Sequence, residues 1–548
     1  MVGEQIMRLV KFNPLVFLVS GTVLFTVLVS SPILALFMMS FKSSGGVWQH
    51  LIDTVLFKYI SNTILLMLGV ALVSFFIAIV PAWLVSNYYF PLSKILDWAL
   101  ILPAACPAYL VAYAYTDVLE YAGVVQKAIR HFFDFNSPGE YYFPEIRSIW
   151  GAIFVMSLVL YPYIYVLART AFRTAPASLY ETAVLYKKSV FINVGLPLAR
   201  PAIFAGLALV CMEVVSDFGT VEYFSLETLT LGIFNVWIGM NSITSAAQLS
   251  VVTFIFIITL LLVEIRSRAA SKYYDTSRGQ SHTLVEKLNG KVIFFAILIC
   301  FLPPLLGFFI PVSILLSNSL HAFQYEPFAN FLFPFLNTIV VSAACAILVV
   351  FFSFFVVSCS KETRLSWVSG LVSLSATGYA FPGTMLAIGV VLSVGQADRL
   401  IIYLNSFIHF IPEGFYLGGT FAVLLFAYVV RFQAIGFGAV SSGIQKIAPN
   451  LLSVSRCLGK SYMGTSKDVT LPLLRPYLLA GGLLVFVDTM KELPMTLLLR
   501  PFNFETLATQ AYQYAHSELM AEASIPALLI IASGLIPVIF LNNFLRKI

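Results

Sequence analysis

The chain contains two copies of one pattern. Asn62-Thr63-Ile64 recurs as Asn337-Thr338-Ile339, Pro107 as Pro382, and Leu196-Pro197-Leu198-Ala199-Arg200-Pro201 as Leu471-Pro472-Leu473-Leu474-Arg475-Pro476. Each pair is separated by the same 275 residues. One shared offset over that distance means a duplicated unit. In a very apolar chain, such internal symmetry marks membrane transporters, whose path lies between the repeats.

Of the 548 residues 59% are hydrophobic and 11% charged, with a mean hydropathy of +0.92. A soluble chain could not bury that much apolar surface, whereas a polytopic membrane protein has lipid to cover it. A span needs about 20 mainly apolar residues, and twelve segments qualify, six in each half. The third and ninth lie near residues 96–118 and 367–394, the fifth and eleventh near 202–224 and 477–499. The first, near residues 14–40, is too long for a secretory signal and reads as a retained span.

Basic residues favour the cytoplasmic side. With both termini inside, that side receives most of the 32 lysines and arginines, Arg431 counted among them. Three segments then fall in the cytoplasm: residues 169–201, 265–291 and 441–476. The middle one, with Arg266, Arg268, Lys272 and Arg278, reads as a linker between formerly separate units. The expected domains are a first six-span unit at 1–270, a linker at 271–290 and a second six-span unit at 291–548. The positive balance reports orientation, not nucleic-acid binding. The six cysteines read as apolar fillers or free thiols. The six histidines read as surface or interface residues.

The loops before the Leu-Pro repeats hold the best-defined motif. The first runs Glu181-Thr182-Ala183-Val184-Leu185-Tyr186-Lys187, then eight residues, then Leu196-Pro197. The second runs Ser453-Val454-Ser455-Arg456-Cys457-Leu458-Gly459, then eleven residues, then Leu471-Pro472. Both resemble the EAA loop of ABC importer permeases: Glu-Ala-Ala, three residues, Gly, and a Leu-Pro about eleven residues on. The resemblance implies a short helix, a turn at the Gly, and a second helix, with the first part docked in a groove of an ATPase subunit. A short amphipathic helix suits such a groove, Gly suits the turn, and Pro is tolerated in the first turn of the next helix. The second copy has Ser453 in place of Glu. The first has Lys187 in place of Gly and is three residues shorter, so it is expected to turn differently. Gly459-Lys460-Ser461 resembles the end of a phosphate-binding loop, but that motif needs a Gly where Val454 stands.

After each Leu-Pro repeat, two acids interrupt an apolar segment: Glu213 and Asp217, then Asp488 and Glu492. Spacing of i and i+4 predicts each pair on one helix face. An ionised acid at the bilayer centre costs about 2.5–3.5 kcal/mol. Four in symmetric positions suggest a water-filled path, and carboxylate oxygens suit hard cations. Lys491, three residues from Asp488, is a competing partner, with Ser216 at its counterpart. Pro107 and Pro382 predict kinks within the third and ninth spans.

Asp217-Phe218-Gly219-Thr220-Val221, Thr230-Leu231-Gly232-Ile233-Phe234 and Ala246-Ala247-Gln248-Leu249 resemble the first half of fused ferric-iron ABC permeases. Asp488-Thr489-Met490-Lys491-Glu492-Leu493-Pro494 and Leu498-Leu499-Arg500-Pro501-Phe502 resemble the second. The resemblance implies an all-α polytopic membrane protein of twelve transmembrane helices, arranged as two pseudo-symmetric six-helix MetI-like units. It further implies a bacterial inner-membrane permease that takes iron(III) from a periplasmic binding protein and is driven by a separate, homodimeric ATPase. No cofactor and no covalent chemistry are expected in this chain, since ATP belongs to the partner. Related permeases for thiamine, phosphonate, sulfate and polyamines share the architecture. The rival of another class is a twelve-span secondary transporter driven by an ion gradient.

Overall fold

The computed structural model describes residues 14–269, 286–322, 329–363, 365–408, 412 and 416–545. The described residues are mostly helical, and the one strand pairing among them is a two-residue parallel match of Tyr88–Tyr89 with Glu286–Lys287. Most of the linker expected at 271–290 lies outside the described residues.

Among the described residues, eleven helices are long and apolar enough to cross a bilayer, twelve if the bent pair Ser93–Ala105 and Ala108–Phe133 counts as one span. The expected all-α polytopic fold is therefore present. The bend in that pair is 92° and falls at Pro107. Pro107 caps the helix Ala108–Leu119, and Pro382 directly precedes Gly383–Ile408. In both repeats a short 3-10 turn comes first, Leu102–Ala105 or Gly378–Ala380, followed by an extended residue, Cys106 or Phe381. A proline without an N–H, biasing its predecessor toward extended backbone, breaks the helix there.

Two compact units form, and neither is a contiguous half. One joins the residues up to Lys42 with Phe333–Thr506; the other joins Ser43–Leu332 with the residues from Leu507 onward. In the first, the helix Pro14–Ser40 packs on Ser366–Ser375 and Gly383–Ile408. Phe25 stacks on Phe352 at 4.4 Å, and the Thr26 hydroxyl points at the Leu371 carbonyl, 3.4 Å away. Gly389 lets these helices approach, since a Cβ there would lie 2.5 Å from the Pro32 oxygen. In the second unit, Leu56–Asn87 and Leu196–Ser216 pack on Ile149–Thr174, and Ile310–Ala322 and Leu507–His516 pack on Met520–Leu545.

The repeated Asn-Thr-Ile acts alike in both units. Asn62 Nδ2 donates to the Glu227 carbonyl and Asn337 Nδ2 to the Glu505 carbonyl, each at 3.0 Å. Thr63 and Thr338 return their hydroxyls to the preceding turn at 2.7 Å. The motif thus ties a span to the loop that follows the acid pair.

All six cysteines are free; Cys457 is exposed and the others are buried. Arg431, placed on the inner side by the charge count, instead sits within the helix Phe421–Gln445. It is mostly buried and lies 3.5 Å from Glu492. A buried guanidinium needs a partner more than it needs the aqueous side.

Candidate functional site

The first Leu-Pro loop begins with the helix Ala177–Leu185. Glu181 is exposed and Ala183 buried. Lys187 follows with φ +52°, in the left-handed region. Its N–H donates to the Val184 carbonyl at 3.0 Å, and the Lys188 N–H to the Ala183 carbonyl at 2.9 Å. The second loop begins with Pro449–Cys457, where Ser453 is exposed. Gly459 follows at φ +82°, its N–H donating to Arg456 at 2.9 Å and the Lys460 N–H to Ser455 at 3.2 Å. This pair of reversed bonds with one left-handed residue is the Schellman ending of a helix. The expectation that the loops turn differently does not hold: both use the same ending, and Lys187 adopts the conformation that Gly usually supplies.

The three-residue deficit lies elsewhere. Two residues after each turn a helix starts, at Val190 in the first loop but with a full extra turn, Tyr462–Thr465, in the second. Each then widens into a π-turn, Phe191–Gly195 or Ser466–Thr470, in which Leu196 donates to Phe191 and Leu471 to Ser466. Pro197 and Pro472 explain it. Neither can donate to the carbonyl four residues back, and the ring crowds that carbonyl, so the helix opens by one residue. Beyond the π-turn the helices continue without a break as the spans Phe191–Ser216 and Ser466–Met490.

The loops are anchored differently. The Trp83 indole packs against Phe172 (5.2 Å between ring centroids), Tyr180 (6.0 Å) and Phe191 (5.0 Å). A Cβ on Gly195 would lie 2.5 Å from the same indole. Burial pushes the Tyr180 phenol up to about 12, so it stays protonated. Below this cluster Asp97 accepts from Tyr165 (2.7 Å), Arg169 (2.5 Å) and Arg173 (3.1 Å). In the second repeat the matching positions are Ser358, Ile444, Leu452, Ser466 and Thr470. These line a cavity of about 10 Å³, room for roughly one water. The second loop is held instead by the ion pairs Arg456–Glu362 and Lys460–Asp468 and by the Ser455 and Thr465 hydroxyls, 3.0 Å apart.

Each loop also exposes apolar side chains that the sequence pattern did not single out. Val184, Leu185 and Tyr186 are 53%, 81% and 75% exposed in the first, and Val454 and Leu458 are 55% and 79% exposed in the second. Tyr186 and Leu458 occupy the same place, directly before the left-handed residue. Burial on a partner is the ordinary reason for such residues at an aqueous turn.

The acids do not form two helix faces. The helix Leu196–Ser216 ends before Asp217, which is extended, and Leu471–Met490 ends two residues before Glu492. The carboxylates turn onward to the next short helices. Asp217 accepts from the N–H groups of Thr220 (3.0 Å) and Val221 (3.2 Å) and from the Thr220 hydroxyl (3.1 Å). Glu492 accepts from the Met495 N–H at 3.2 Å. Both carboxylates cap the first turn of the next short helix from the position just before its N-cap residue, Phe218 or Leu493. Glu213 is half-buried within its helix, and Asp488 pairs with Lys491 at 2.8 Å.

No family model matches the chain. The Fe(3+)-transport system permease protein FbpB 2 of Haemophilus influenzae is 24% identical over 502 residues, which cover 89% of this chain and 90% of that protein. The chain resembles the ferric-iron ABC permeases. The ferric transport system permease protein FbpB of Actinobacillus pleuropneumoniae is 22% identical over 412 residues, 71% of this chain and 57% of that one. The spermidine/putrescine transport system permease protein PotC of Haemophilus influenzae is 22% identical over 246 residues. Those residues are 44% of this chain but 92% of PotC. Nearly the whole of a shorter permease thus matches less than half of this chain, in keeping with a duplicated unit.

Proposed function

We propose that this chain is the membrane-spanning permease of a binding-protein-dependent ABC importer and carries iron(III). The observation that supports it best is the pair of Schellman-ended loop helices. Each shows exposed apolar residues at its turn and continues through a π-turn into a membrane span. A partner ATPase, a homodimer in this reading, docks on Glu181, Leu185 and Tyr186 in one loop and on Ser453, Val454 and Leu458 in the other. Its closure moves the spans through Lys187, Leu196 and Pro197 and through Gly459, Leu471 and Pro472. ATP stays on the ATPase. A periplasmic binding protein delivers the cation on the opposite side. The chain lies in the inner membrane with both termini cytoplasmic, as two permease units, 1–270 and 291–548, joined by a linker.

Glu213 and Asp488 contribute negative charge to the path, while Asp217 and Glu492 hold its walls in shape by capping. Similarity to iron permeases over nine-tenths of the chain supports iron(III) over polyamine or phosphonate cargo. The test is uptake of radiolabelled iron(III) by cells that carry Leu185→Asp and Leu458→Asp together. Loss of uptake at normal protein levels is expected. Uptake that survives removal of the ATPase and collapses with the proton gradient would establish a secondary transporter instead.

A further inference from the structure

One group of side chains in the unit built from Ser43–Leu332 and the residues from Leu507 has no counterpart in the repeat. It lies past the end of Leu196–Ser216 remote from the Leu-Pro loop, about 30 Å along that helix. Tyr109 and Tyr113 are one turn apart on Ala108–Leu119, their ring centroids 5.6 Å apart. Tyr113 meets Tyr223 edge-on at 4.5 Å. Tyr512 lies beside the Glu222 carboxylate, and His516 Nδ1 is 3.6 Å from Glu222 Oε1. The rings of Tyr512 and His516 stack at 5.7 Å. Tyr113 is within electrostatic reach of Glu222, Tyr223 and Tyr512.

The group runs from exposed His516 through half-buried Tyr512 and Glu222 to fully buried Tyr113. Two of its buried atoms, the Tyr113 hydroxyl and Glu222 Oε2, have no hydrogen-bond partner among the described residues. Such orphaned atoms usually mark the place of a water or an ion. No cluster of three His, Cys, Asp or Glu able to hold a metal occurs among the described residues, so phenols are the further anionic donors at hand. In the other repeat the matching positions are Ile388 for Tyr113 and Leu497 for Glu222. With the register set by Leu229 and Leu507, Phe234 and Ile238 match Tyr512 and His516. None of the four could bind a cation.

We propose that Tyr113, Glu222, Tyr512 and His516 form an entry site for iron(III). Phenolate, carboxylate and imidazole are established iron ligands, and hard oxygen donors suit a trivalent cation. On binding, Tyr113 and Tyr512 each release one proton. Two phenolates and one carboxylate then balance three positive charges, and neutral His516 donates a ring nitrogen from the exposed side. The iron stays trivalent, and no electron is transferred. Tyr223 is not counted as a ligand, since its hydroxyl faces Met520 Sδ at 3.9 Å. The inference rests on the iron reading of the proposed function, but its test does not use ATP or a partner.

The full-length chain, purified in detergent, is titrated with ferric nitrilotriacetate and followed by visible absorption. A phenolate-to-iron charge-transfer band saturating at one iron per chain is expected. The Tyr113→Phe, Tyr512→Phe double variant should abolish the band. Glu222→Gln should weaken binding by more than about tenfold, a loss common even for outer partners of a metal site. No band in the unmodified chain, or a band unchanged in the double variant, overturns the site. If the double variant does not elute as folded protein, Tyr512→Phe alone decides, because Tyr512 is only half-buried. A failed titration beside intact ATP-driven iron uptake removes the site and leaves the proposed function standing. Absent iron uptake removes the function whatever the spectrum shows.

Discussion

Lys187 and Gly459 occupy the same left-handed position of the same helix ending, at φ +52° and +82°. An L-residue there costs about 1–2 kcal/mol relative to ordinary helical backbone, whereas Gly adopts it freely. Lys187→Gly should therefore stabilise the first loop by up to about 1 kcal/mol, and Gly459→Ala should destabilise the second by a similar amount. Amide exchange across residues 183–190 and 455–462 reads both changes.

Trp83 is the hub against which the first loop packs. Truncating a buried Trp costs about 3–5 kcal/mol through lost burial and the cavity left behind. Trp83→Ala should free the loop to protease at residues 177–195 and lower uptake while the other loop stays protected. In the second repeat, Ser358→Ala should be neutral or slightly stabilising, since the buried Ser358 hydroxyl has no partner among the described residues.

The second loop depends on charge. At 1 M salt the screening length falls to about 3 Å, so exchange across residues 449–465 should accelerate with ionic strength while exchange across 177–188 does not. Arg456→Met should reproduce the salt effect, with a loss under about 1 kcal/mol at this half-exposed pair.

The capping role of Asp217 separates from a charge role by substitution. Asn caps a helix nearly as well as Asp, and Ala does not, at about 0.5–2 kcal/mol. Asp217→Asn should keep protein level and iron uptake, whereas Asp217→Ala should lower the amount of folded chain. Glu213→Gln and Asp488→Asn should leave folded protein unchanged and reduce uptake. Normal uptake in that pair would exclude them from the path.

Asp97 accepts from three side chains in a buried setting. Removing one partner of a buried pair costs about 3–5 kcal/mol because the other charge is stranded. Asp97→Ala should reduce folded protein sharply, and Asp97→Ala with Arg169→Leu should recover part of it, as measured by detergent-stable monomer.

The architecture was legible from residues whose effects are local or periodic. Apolar runs marked the spans, Pro107 and Pro382 marked the breaks, and the shared offset marked the duplication. The i, i+4 reading of Glu213 and Asp217 failed because a carboxylate can end one helix by capping the next, and spacing does not distinguish the two. Lys187 misled because the Schellman ending is fixed by backbone bonds that tolerate an unfavourable residue. The Trp83 cluster and the phenols around Glu222 left no pattern, since Trp83 and Phe191, or Tyr113 and Tyr512, meet only after folding.

The contacts of Pro14–Ser40 set a schedule for synthesis. Its partners, Leu371 and Phe352 among them, are more than 300 residues later in the chain. At about 5–20 residues per second, the helix waits in lipid for roughly 15–70 s before its seat exists. Through that interval its small polar residues, Thr22 and Thr26, face tails or passing neighbours. Thr22 is satisfied within its own helix, its hydroxyl donating to the Leu18 carbonyl at 2.8 Å, so Thr26 is the one that gains its distant partner only when the late segments arrive.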